Sequence, residues 1–141
     1  MQIKNFRWKL IIRLCFVLLL VGCSKDEDVG IATRDDFLGT WQCEEYDANQ
    51  GMIATFQVVI EPHLSEPSKI IIDNFNLLGI GYKAEAIVSN TFIEIGLQTI
   101  GGTTVSGDGF ISDKNRKIEI QYTLDEGTGQ EETIQANFTK L

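Results

Sequence analysis

The side chains best suited to proton or group transfer in this chain of 141 residues are a single histidine, three cysteines and twenty carboxylates. His63 lies between Glu61 and Glu66 in a loop bounded by Pro62 and Pro67, where a solvated imidazole is the ordinary outcome. A zinc centre needs several His or Cys ligands at close spacing, and this sequence does not supply them. No Gly-x-Ser-x-Gly elbow accompanies His63, and neither glycine-rich phosphate cradle is present. Hydrolytic, phosphoryl-transfer and dinucleotide chemistry therefore lack their usual sequence supports.

The carboxylates fall into groups. Asp26-Glu27-Asp28 has the character of a solvated tether, Glu44-Glu45 with Asp47 lies at a strand end, and Asp125-Glu126 with Glu131-Glu132 flanks the last hairpin. Asp125-Glu126-Gly127 is a fragment of a calcium loop, which would need alternating oxygen ligands around a central glycine. Glycosidic cleavage would need two close carboxyls, one raised in pKa by an apolar pocket. Asp73, Glu94 and Asp108 lie within apolar strands, but Glu94 alternates with Ile93 and Ile95 and is expected to point outward. The reading is of a protein that is not an enzyme, with no cofactor and no metal.

The N-terminus has the layout of a secretory signal. Lys4, Arg7, Lys9 and Arg13 precede the apolar run Leu14 to Val21, then small Gly22 and Cys23. The uncharged run is too short to span a bilayer as a helix, which takes about 20 residues. Leu20-Val21-Gly22-Cys23 resembles a bacterial lipobox. The resemblance implies cleavage before Cys23, diacylglycerol on its thiol and acylation of the new amino terminus. Two or three acyl chains moor a protein firmly where one does so only marginally. Lys25-Asp26-Glu27 resembles the surface-export signal of Bacteroidetes-type lipoproteins, which implies an outer-membrane lipoprotein displayed on the cell surface. The expected division is a signal peptide over 1–22, an acidic tether over 23–34 and one domain over 35–141. Without residues 1–22 the net charge falls from −8 to −12, because that segment holds four basic and no acidic side chains. Such an acidic balance argues against nucleic acid as a partner. Cys15 leaves with the signal and Cys23 carries lipid, so Cys43 stands alone and is expected to be a small buried apolar residue.

In the domain, Thr33-Arg34-Asp35-Asp36 reads as a helix start that Gly39 stops, giving one turn over Asp35–Leu38. Everything after it alternates with period two. Strands are expected at Thr40–Tyr46, Ile53–Glu61, Lys69–Phe75, Gly81–Val88, Thr91–Ile100, Thr103–Ser112, Lys117–Asp125 and Glu132–Lys140. Eight strands in sequence, joined mainly by hairpin-length turns, protect their edges by closing on themselves or by stacking as two sheets. Inward-facing Gly107 and Gly109 permit the sharp bending that closure needs. The expected fold is an eight-stranded antiparallel up-and-down barrel, with a β-sandwich as the alternative.

The opening Gly39-Thr40-Trp41 after a short helical turn resembles the Gly-x-Trp start of the lipocalin/calycin superfamily. Pro67–Phe75, Gln98-Thr99-Ile100 and Gly107-Asp108-Gly109 are similar to small lipocalin-like domains of Bacteroidetes lipoproteins. The resemblance covers about residues 35–141 and implies that Trp41 plugs the closed end of a barrel. Lipocalins often stack an arginine of the last strand over that tryptophan, whereas this chain offers only Lys140.

Two functions follow as expectations. In the first, the anchored domain captures a small apolar molecule in a cup lined by Trp41, Tyr82, Ala84, Phe110 and Tyr122, with Phe56 and Phe92 as further aromatic candidates. In the second, the barrel is filled and its outer face holds an envelope protein or glycan. An open interior favours the first and a packed one the second.

Overall fold

The computed structural model describes residues 31–112 and 114–141. The expected signal peptide over 1–22, Cys23 and residues 24–30 of the expected tether lie outside them. A single helical turn, α1 (Arg34–Phe37), precedes eight strands. These are β1 (Gly39–Tyr46), β2 (Met52–Pro62), β3 (Lys69–Asp73), β4 (Lys83–Ser89), β5 (Phe92–Ile100), β6 (Thr103–Ser112), β7 (Lys117–Asp125) and β8 (Glu132–Lys140). Each pairs antiparallel with the next, and β8 pairs back onto β1 through Trp41 opposite Lys140 and Cys43 opposite Phe138. The sheet is a closed barrel in chain order, so the sandwich alternative falls away.

Period-two alternation accounts for the core. Trp41 and Cys43 on β1, Phe56, Val58 and Ile60 on β2, and Ile118, Ile120, Tyr122 and Leu124 on β7 all face inward and are buried. Cys43 is a free, buried thiol, and burial raises its pKa. Gly107 and Gly109 are required by close approach. A Cβ on Gly109 would stand 2.0 Å from the Glu119 carbonyl oxygen, and one on Gly107 would stand 2.5 Å from Tyr122 Cβ. Here β6 and β7 come together too tightly for any side chain, and the wall curves.

One end is sealed by α1. Asp36 Oδ2 accepts from the Thr33 amide at 2.7 Å and the Thr33 hydroxyl at 2.9 Å. These bonds hold the Asp36 carboxyl below its usual pKa. The helical turn runs one residue earlier than the sequence suggests, and Ala32 is already buried. The folded domain thus reaches into the segment assigned to the tether. Trp41 Nε1 donates to the Phe37 carbonyl at 2.8 Å, which joins the barrel floor to the turn. Lys140 Nζ donates to the Asp36 carbonyl at 2.8 Å and lies 5.1 Å from the centre of the Trp41 ring.

β3 ends at Asp73, two residues short of the expected boundary. Asn74 takes a left-handed conformation, φ 63°, and a 3-10 turn over Phe75–Leu77 follows. Phe75 is consequently no strand residue but the buried head of the β3–β4 loop.

Candidate functional site

The end opposite α1 is covered by that loop. Phe75 packs on Tyr122 with ring centroids 4.9 Å apart. The Tyr122 hydroxyl donates to Glu45 Oε1 at 2.7 Å and lies 2.9 Å from Asn76 Oδ1. A phenol carries one proton, so the cluster closes only if the Asn76 amide donates from its NH2 side or the Glu45 carboxyl keeps its own proton. Glu45 is only 2% exposed, and burial pushes its pKa up, partly opposed by the Tyr122 hydrogen bond. Burial and the neighbouring Glu45 carboxylate raise the Tyr122 pKa as well.

The loop is braced at its base. Asp73 Oδ1 accepts from the Gly81 amide at 2.7 Å and the Asn74 amide at 2.8 Å, and these bonds, with Lys83 nearby, hold its carboxyl below the usual range. Asn74 donates to the Gln57 carbonyl and accepts from Gly79. Asn76 and Leu77 both take positive φ, 52° and 54°. A left-handed leucine costs roughly 1–2 kcal/mol, and Leu77 nevertheless points largely into solvent, as does Ile80.

The expected cup is thus divided. Trp41, Ala84 and Tyr122 are inside and fully covered, as is Phe56. Tyr82 and Phe110 are not in the interior, being 46% and 48% exposed, and Phe92 lies outside with them. Parity explains the correction. Phe110 is out of step with inward Val105, Gly109 and Ile111, and Phe92 is in step with outward Glu94. Tyr82 precedes β4 and rests over Gly101 on the rim, where an added Cβ would meet its ring at 2.8 Å. Glu45 and Asn76 were missed. Glu45 shares the parity of Trp41 and Cys43, a signal present in the sequence, whereas Asn76 carries none.

The outer wall holds the second set of side chains. Phe92 and Phe110 are direct cross-strand partners, and Glu94 and Asp108 form the next outward rung. Phe110 faces Glu119 on β7, and Asp108 faces Gln121, which in turn faces Gln135 on β8. A groove of about 230 Å³ runs beside Phe110, bordered by Asp108, Glu119, Gln121 and Gln135. A larger groove of about 360 Å³ lies between Lys69, Ile87, Glu94 and Leu97. There β4 and β5 pair only over Ile87–Ser89 with Phe92–Glu94. Beyond that, the Gln98 side chain accepts from the Glu85 amide at 2.9 Å and donates to its carbonyl at 2.8 Å, standing in for the missing ladder.

Charge is distributed unevenly over this wall. Across β2–β4, Glu61 and Asp73 meet Lys83, and Glu66 and Glu85 meet Lys69. His63 belongs to this network, its Nδ1 accepting from the Ser65 and Glu66 amides and its Nε2 facing Glu85 at 4.0 Å. Across β5–β7, the carboxylates of Glu94, Asp108 and Glu119 have no ion pair or hydrogen-bond partner among the described residues. Asp125 Oδ1 is occupied by the amides of Gly127, Thr128 and Gly129, so that carboxylate builds its own turn.

No protein-family model matches this chain, and neither does any curated protein. The fold is a closed eight-stranded up-and-down barrel, with a helical turn packed at one end and the β3–β4 loop over the other.

Proposed function

We propose that this chain is an exported lipoprotein, moored to the bacterial envelope through acyl chains on Cys23, that acts as a non-enzymatic interaction module. It engages a protein or glycan partner with the outer wall of a filled barrel. The observation that carries the reading is the division of aromatic side chains. Trp41, Phe75 and Tyr122 fill and close the two ends, while Phe92 and Phe110 stand outside, Phe110 beside a groove. Paired exposed phenylalanines on a sheet face are costly to leave in water and commonly mark an interaction surface. Anchoring rests on Leu20-Val21-Gly22-Cys23, and surface display on Lys25-Asp26-Glu27.

Two measurements test this reading. Mass spectrometry of protein purified from the native envelope is expected to find a mature N-terminus at Cys23 bearing fatty acyl mass; an intact Met1 without acyl mass refutes the anchor. Substituting Phe92→Ser with Phe110→Ser is expected to abolish partner crosslinking in cells while the barrel still folds. Undiminished crosslinking refutes the outer wall as the binding face.

A second reading is favoured by the buried Glu45–Tyr122–Asn76 cluster. A small molecule with an apolar body and a hydrogen-bonding group enters when the β3–β4 loop lifts and replaces Phe75 and Asn76. It predicts saturable quenching of Trp41 fluorescence by such a compound, enhanced when Asn76→Ala loosens the loop. Quenching insensitive to that substitution counts against it.

A further inference from the structure

The outer-wall reading leaves the chemistry of the partner open, and the distribution of charge specifies it. We infer that the Phe92–Phe110 face binds a basic, extended segment of a partner protein in which a lysine or arginine stands two positions from an apolar residue. This inference rests on the outer-wall reading and adds the class of partner.

Phe92 and Phe110 make an apolar rung, with Glu94 and Asp108 directly above it and Glu119 at its side. The three carboxylates are unengaged among the described residues, whereas four carboxylates of the β2–β4 wall are matched by Lys69 and Lys83. Lys117, two residues before Glu119 on β7, borders the patch and has an interaction of its own. A cation approaching the patch therefore meets unneutralised acids and two exposed aromatic side chains. Guanidinium and ammonium groups are attracted to both.

The spacing fits an extended chain. Outward rungs on one strand are separated by two residues, roughly 7 Å, which is also the distance between side chains i and i+2 of an extended peptide. An apolar side chain on the phenylalanine rung thus sets its neighbour two positions away over the Glu94–Asp108 rung. The groove beside Phe110 provides depth for one side chain between Glu119 and Gln135. Each exposed ion pair contributes little by itself, so the contact requires the phenylalanines and the acids together and weakens as salt rises.

The test uses the full lipidated chain in uncharged detergent and a fluorescein-labelled peptide of three Arg-Ser-Leu-Ser repeats, followed by fluorescence anisotropy. Saturable binding is expected, weakened at least tenfold by Glu94→Gln with Asp108→Asn and Glu119→Gln, and at least fivefold by Phe110→Ser. Glu61→Gln with Glu66→Gln, on the other wall, is expected to change it less than twofold. Equal losses from both walls, or no loss from the triple variant, overturn the assignment. A second experiment places p-benzoylphenylalanine at position 110 in producing cells and identifies the crosslinked segment by mass spectrometry. A segment containing Lys or Arg beside an apolar residue supports the inference. A glycan or a neutral segment overturns the charge assignment while leaving the outer-wall reading intact, and no adduct at position 110 overturns both.

Discussion

Tyr122→Phe removes one oxygen atom from the centre of the closed end and leaves the ring on Phe75. The deleted hydroxyl donates to Glu45 at 2.7 Å and lies 2.9 Å from Asn76. Glu45, 2% exposed, then has no hydrogen-bond donor among the described residues. Leaving a buried polar group unsatisfied costs about 1–3 kcal/mol, with charged groups at the upper end. No packing is lost, so the whole effect falls on this polar cluster, and a destabilisation of about 2 kcal/mol is expected. With a urea dependence of roughly 1–3 kcal/mol per molar for a domain of this size, the midpoint moves down by ~1 M. Urea titrations followed by Trp41 fluorescence read this shift. The effect should also depend on Glu45. In a double-mutant cycle with Glu45→Gln, the coupling between the two sites is expected at about 1–2 kcal/mol. A Tyr122→Phe cost below ~0.5 kcal/mol, or additive effects in the cycle, would mean that water satisfies Glu45 and that the barrel is open at this end, contrary to the filled interior argued above.

Glu45 also makes stability depend on pH. Its folded pKa is raised by burial, so the folded state holds the proton longer than the unfolded chain does. Its favourable contribution is complete below the unfolded glutamate value of about 4.3 and is lost as pH rises toward the folded value. Glu45→Gln should therefore gain stability relative to wild type in urea titrations taken from pH 4 to pH 8, and parallel curves would refute the assignment. Gly109→Ala forces a Cβ to within 2.0 Å of the Glu119 carbonyl oxygen and should destabilise by about 2–3 kcal/mol or prevent closure, as read by thermal melting. Lys140→Met removes the bond to Asp36 and the cation over Trp41 and should cost about 1 kcal/mol. That corresponds to a fall in Tm of roughly 4–8 °C, and an unchanged melt would show that the floor holds without it.

The strands were legible because one physical rule produced them. In β7, Ile118, Ile120, Tyr122 and Leu124 alternate with polar residues without interruption, and Lys117–Asp125 is recovered without change. Closure was legible from the chain of short turns and from Gly107 and Gly109, whose steric role is visible in the contacts a side chain would make. The β3–β4 connection was not. Asn74, Asn76 and Leu77 in left-handed conformations turn the chain over the barrel mouth, and that turn depends on bonds donated by the Asn74 side chain to the Gln57 carbonyl and by the Gly81 amide to Asp73. Partners 17 and 8 residues away leave no local pattern.

The sites divided along the same line. Reading Phe110 as an interior aromatic weighed residue type above register, although Val105, Gly109 and Ile111 had already fixed the inward parity of β6. Grouping Glu45 with Glu44 and Asp47 at a strand end passed over its register, since Trp41 and Cys43 give its position inward parity. In a barrel with a two-residue period, register outweighs polarity at both positions. It carries a phenylalanine into water and a carboxylate into the core. Each misplaced residue then needs a compensating interaction. Glu45 finds its own inside the chain, in Tyr122. Phe110 has Phe92 across the strand pair and unpaired acids around it, and under the proposed function its compensation comes from another molecule.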